Sequence, residues 1–180
     1  MNRAKLERQA RQQMTKAHHE AGHAVAAFHV GIEIRDISIV GENREVEHIE
    51  HLPYFSNLEI GDMPEHRVGG ERQLNLENSA FISLVGPWAQ KKFNPKGFRK
   101  GQVEGDYIQA IKFLSHVRND QEVLEHYFKV IDIEARNFVQ DRFKWSVIHH
   151  LALVLLDQGI MTGDNIRDSI ISGFRPHNNS

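Results

Sequence analysis

The segment His18-His19-Glu20-Ala21-Gly22-His23-Ala24-Val25-Ala26-Ala27-Phe28 constrains this chain more than any other. It sets a His-Glu-x-x-His pattern inside a run that reads as helix. On a helix, two histidines four residues apart lie about 40° apart around the axis and roughly 6 Å along it. His19 and His23 can therefore hold one metal ion from one face, with Glu20 beside it as a general base. That is the donor pattern of a zinc peptidase. The competing reading is a buried helix face with hydrogen-bonded imidazoles. Shuffling a chain with this many histidines and glutamates yields about 0.07 such motifs, so the surroundings have to decide.

Those surroundings narrow the field. A chain of 180 residues reads as one domain over 1–180, large enough to bury about 70% of its unfolded surface. A net charge of −2 leaves no electrostatic footprint for nucleic acid or an anionic membrane. Cysteine is absent, so a zinc ion would have to use His, Asp or Glu. The longest apolar runs, Ala24–Phe28 and Leu151–Leu156, fall far short of a membrane span. The basic amino terminus (Arg3, Lys5, Arg8, Arg11, Lys16) has no apolar stretch behind it and does not read as a signal peptide. A cytoplasmic protein is expected.

Along the chain, 1–14 reads as a polar arm or solvated helix. Thr15 suits the N-cap of the motif helix, and Gly31 ends it. Within that helix Ala17, Ala21, Ala24 and Phe28 form an apolar stripe, and Ala26 and Val30 make the histidine face apolar as well. Ile34–Val40 and Val46–Leu52 suit a short hairpin around Gly41-Glu42-Asn43. Residues 53–75 read as a long loop. Leu76–Phe93 is apolar at helical spacing, with a kink or break expected at Gly86-Pro87. Residues 94–103 form a basic loop whose Lys96, Arg99 and Lys100 read as a solvated cluster. Helices are expected near 105–117, 120–139, 142–157 and 164–172, and a disordered tail at 174–180. The fold class is mainly α, with a small β-hairpin or edge strand after the metal-binding helix. No internal repeat or Gly-rich phosphate loop is present.

A catalytic zinc needs three protein ligands and an open position. One pattern continues the motif as His-Glu-x-x-His-x-x-Gly-x-x-His, and His29 sits where that pattern ends. Its glycine, however, is Ala26 here, and Ala24–Phe28 favours continued helix. In an unbroken helix His29 lies about 240° around and roughly 9 Å along from His23. The alternative is a carboxylate brought from elsewhere: Asp106, in Gly105-Asp106-Tyr107-Ile108-Gln109-Ala110, with Glu104 as a weaker competitor. Asp106 also fits a capping box with Gln109, and spacing alone leaves ligand and cap both open.

His19-Glu20-Ala21-Gly22-His23-Ala24 resembles the zinc motif of the FtsH-type ATP-dependent proteases. The order of the later segments is similar too: a hairpin, then Leu84-Val85-Gly86-Pro87-Trp88-Ala89-Gln90, then Gly105-Asp106-Tyr107-Ile108-Gln109-Ala110. The likeness runs from about His18 to Ile171. In that family a Gly-x-x-Ala-Glu helix precedes an Asp-x-x-x-Ala segment whose aspartate is the third ligand, which implies Asp106 here. Gln90 replaces the family glutamate, and the glycine expected four residues before the aspartate is Gln102, with Gly101 one place earlier. The family's membrane helices and ATPase module have no counterpart, so the resemblance implies a free-standing peptidase domain.

The expected protein is thus a zinc metallopeptidase with His19, His23 and Asp106 as ligands. Zinc would lower the pKa of its bound water toward ~7, and Glu20 would act as base. The strand residues Ile37, Ser38, Ile39 and Val40 are the candidate edge for an extended peptide or unfolded polypeptide, taken up as an added strand. A homo-oligomer or a separate ATPase partner is left open. The rival is a regulatory interaction domain that keeps the zinc fold without turnover.

Overall fold

The chain's first long element is a helix that carries the motif through its inner half. The structure, a computed structural model, describes residues 3–40 and 69–174. Helix α1 runs Arg3–His29 without interruption. Thr15 is not its cap: the Thr15 Oγ donates to the Arg11 carbonyl at 2.7 Å, inside the helix. The polar arm and the motif helix are one element, because Arg3 to Gln13 are sound helix formers and need no stop. Gly31 does end α1. Its φ of 75° lets its N–H reach Phe28 O at 3.2 Å while Ile32 N reaches Ala27 O at 2.9 Å, a Schellman closure.

Four helices build the support around α1. Helix α2 spans Gly69–Phe93 and continues through Gly86-Pro87. The expected break is absent because Leu84, Val85 and Ala89 on either side are wholly buried. That packing outweighs the one backbone hydrogen bond proline forfeits. The 69–75 part of the expected loop is also helical. Helix α3 covers Glu104–Ser115, after a 3₁₀ turn at Lys100–Gln102. Helices α4, Gln121–Gln140, and α5, Arg142–Gln158, are started by Asp120 and Asp141, which accept from Val123 N and Lys144 N. Asp suits that position because its side chain satisfies an otherwise orphaned donor.

Helix α1 lies against α2 and α5, and α2 also packs on α3 and α4. Residues Ala17 to Ala27 are buried on nearly all sides, so α1 is the centre of the bundle. Its small side chains allow that. At Gly22 an added Cβ would meet Ala89 Cβ at 2.8 Å and the Gly86 Cα at 3.1 Å. The remaining core is made of larger groups, including Ile82, Leu114, Ile148, Leu151, Leu155 and Ile166.

The strand after the motif helix is present as β1, Asp36–Ser38. Among the described residues its partner is β2, Ile160–Thr162, antiparallel with Ile37 opposite Met161. The expected local partner, Val46–Leu52, lies outside the described residues, as do the rest of the 53–75 loop and the tail from 175. Helix α6, Gly163–Gly173, closes the fold. Gly163 is needed there: a Cβ would sit 2.2 Å from Ile34 O. The protein is therefore mainly helical with one small two-stranded sheet among the described residues. Among them, too, no helix is long and apolar enough to cross a membrane.

Candidate metal centre

His19 and His23 present their Nε2 atoms 3.0 Å apart on the inner half of α1. Asp106 comes from the first turn of α3 and faces both: Oδ2 is 3.4 Å from His19 Nε2 and Oδ1 is 3.3 Å from His23 Nε2. Asp106 is not the cap of α3. Val103 holds the cap position without a side-chain hydrogen bond, which leaves the aspartate to face the histidines. Glu104, the weaker competitor, is exposed and stands outside this group. His29 points elsewhere, with its ring 5.1 Å from Phe138, as an unbroken helix dictates.

The backbone fixes how the His23 ring is presented. His23 Nδ1 donates to the Ile82 carbonyl at 2.8 Å, so in the neutral ring Nε2 carries the lone pair that looks at Asp106 and His19. The ring lies close over Gly86, where an added Cβ would fall 2.3 Å from Nε2. His18, one residue before the motif, buttresses α1 on another face. Its Nδ1 donates to Met14 O at 2.7 Å, and its Nε2 accepts from His149 Nδ1 at 2.8 Å. The His18 ring stacks on Phe93 at 3.9 Å, and burial pushes its pKa down to about 4. His18 is a packed, neutral histidine.

The electrostatics arise from three donors crowded together out of water. Burial pushes His19 down to about 4, and neighbouring His23 adds to the effect. Burial also opposes charge on His23, yet the hydrogen bond and charge of Asp106 outweigh it and raise that pKa. Asp106 is held below the usual carboxylate range: burial works against this, but its hydrogen bond to His23 and the two rings prevail.

A divalent cation fits this donor set. The three ligating atoms lie within 4.8 Å of one another. Ligands about 2.05 Å from a tetrahedral zinc stand about 3.3 Å from each other, and the separations here are 3.0 to 3.4 Å. Among the described residues His19 Nδ1 meets no hydrogen-bond partner of good geometry, whereas His23 Nδ1 is held by the Ile82 carbonyl, so His23 is the better-anchored of the two rings. His19 and Asp106 also border a cleft of about 1260 Å³ whose walls include Glu20, Gln90 and Gln102. Glu20 is nearly buried at 6% exposure.

The loop before α3 is tied down by two glutamines, Gln90 and Gln102, for which the sequence suggests no role. Gln90 Nε2 donates to Gln102 Oε1 at 3.2 Å, and that oxygen also accepts from Arg99 N at 3.1 Å. Gln90 and Gln102 thus join the end of α2 to the loop just ahead of Asp106. The strand residues Ile37 to Val40 are not in the walls of this cleft. Ile37 and Ile39 are buried, and Val40 is exposed.

Gly86 gives the first expected result. Gly86→Ala should cost about 1–3 kcal/mol of stability, the usual range for overpacking a core. It should also weaken zinc binding, because the His23 ring must leave the Ile82 carbonyl. Urea unfolding and zinc titration of the variant measure both, and unchanged zinc affinity would contradict the role given to Gly86. No protein-family model matches the chain, and no curated protein gives a significant match.

Proposed function

We propose that the protein is a cytoplasmic zinc metallopeptidase, similar in its active-site plan to the FtsH-type peptidase domain, acting on peptides or unfolded chains. The observation that carries this reading is the convergence of His19, His23 and Asp106 at tetrahedral donor spacing, with Glu20 between the two histidines in sequence and lining the same cleft. His19, His23 and Asp106 would hold the metal. Bound there, zinc supplies Lewis acidity toward a water molecule and a peptide carbonyl. Glu20 accepts the proton of the attacking water and delivers it to the departing amine. The burial of Glu20 keeps bulk water from competing for that proton. Gln90 and Gln102 hold the loop that presents Asp106. Ile37 to Val40 are the proposed strand for extended substrate, a role that places part of the bound peptide beyond the cleft walls.

A regulatory zinc domain is the rival, and Glu20 argues against it, since a structural zinc needs no base. The test is metal content together with turnover. Purified protein should carry about one zinc, digest unfolded casein without nucleotide, leave a tightly folded domain intact, and lose activity on chelation. Full activity in the metal-stripped protein would refute the reading.

A further inference from the structure

The cleft above the candidate metal centre is walled by cations on two sides. From α1 come Arg8, Arg11 and Lys16, and from the loop between α2 and α3 come Lys96 and Arg99. On spacing alone the loop cations read as solvated, but the fold turns two of them toward the same opening as the metal ligands. Lys100 does not line it. Among the described residues the opposing anions are few: Glu20 and Asp106 belong to the metal site, and Glu104 is the remaining acid in the cleft wall. Glu7, next to Arg8, is already paired with Arg3 at 2.9 Å.

Placement makes this more than a charged surface. Arg8 and Arg11 lie on the face of α1 that carries His19, within about 80° of it around the axis, and roughly 16 and 12 Å out along it. The two walls are joined where Asn94 Nδ2 donates to Thr15 Oγ at 3.2 Å. On the loop side, Arg99 Nη1 donates to the carbonyls of Lys96 and Phe98 at 3.0 and 2.8 Å, so that guanidinium is held against the loop. An extended peptide advances about 3.3 Å per residue. A chain whose reacting carbonyl lies at His19 therefore brings the fourth or fifth residue from that bond level with Arg11 and Arg8.

We infer that the cleft selects peptides carrying acidic side chains four to five residues from the cleaved bond, with Arg8 and Arg11 as the specificity-determining pair. This rests on the peptidase reading of the same site. A nucleic acid would satisfy the charges too, but among the described residues no Phe, Tyr or Trp lines the cleft, and single strands are held by stacking on such rings.

The test uses one set of quenched peptides with a common centre and Glu, Gln or Lys at the fourth and fifth positions on either side. On the wild-type chain, the Glu peptide of the matching side should show a KM about tenfold below its Gln counterpart, with kcat little changed, since each exposed pair contributes modestly. Raising the salt should shrink the difference. The Arg8→Glu, Arg11→Glu double variant should reverse the order toward Lys, while zinc content and melting temperature stay at wild-type values. Equal KM for Glu and Gln peptides overturns the inference and leaves peptidase activity standing. Binding of the same peptides to Glu20→Gln, measured by fluorescence anisotropy, reads charge preference without turnover. Acid preference there, with no cleavage by wild type, overturns the inference together with the peptidase reading on which it rests, and leaves only a cleft that binds acidic chains. Tighter binding of a single-stranded oligonucleotide than of the acidic peptide, lost in the double variant, overturns it in favour of nucleic acid.

Discussion

Glu20→Gln is expected to keep its zinc and to lose hydrolysis by about 10²–10⁴-fold in kcat, the range attached to a positioned acid–base group. Glu20 is not one of the three converging donors, so the ligand set survives the change. Glutamine has the same shape and fills the same nearly buried place, so packing survives as well. What disappears is a carboxylate able to take a proton and return it. Metal analysis of the purified variant and casein turnover measure the two halves separately. A variant that turns over substrate at the wild-type rate would end the assignment of Glu20 as base.

Asp106→Ala should be the opposite kind of lesion. It removes one of three donors, and zinc affinity is expected to fall by more than about 100-fold, beyond the 10–100-fold typical of losing an outer-shell partner. The metal-free protein should lose stability as well, because the carboxylate faces two histidine rings at 3.3 and 3.4 Å. Leaving those buried nitrogens without it costs roughly 1–3 kcal/mol. His29→Ala is the matched control. Its ring packs on Phe138, so it should retain zinc at wild-type affinity. Zinc titration of both variants decides the matter, and wild-type affinity in Asp106→Ala would exclude it as a ligand.

The elements legible in the sequence are those whose signals are local. Helices α3 to α6 announce themselves through apolar spacing, and Asp120 and Asp141 stand at the starts of α4 and α5. The motif is legible because His19, Glu20 and His23 share one helix. Asp106 is legible only as a choice between ligand and cap, since that choice turns on what lies across from it in space. Thr15 carries a start signal that the favourable residues before it override. Pro87 carries a stop signal that buried packing overrides. The value of Gly86 lies in the atom it lacks, and nothing in a sequence says which neighbour occupies the vacated room. The pairing of β1 with β2 joins Ile37 to Met161, a separation over which hairpin logic has no reach.

The support of α1 by late-arriving segments has a consequence in time. All three converging donors have been synthesised once the chain reaches Asp106, yet α5, against which His18 and the inner half of α1 rest, begins only at Arg142. Among the described residues, the partner of β1 comes later still, at Ile160. Contacts this distant in sequence form slowly, because loop closure precedes any reward. A nascent chain on the ribosome therefore holds the three donors, and the α2 carbonyl that orients His23, before it holds α5 and β2, which brace α1 and β1.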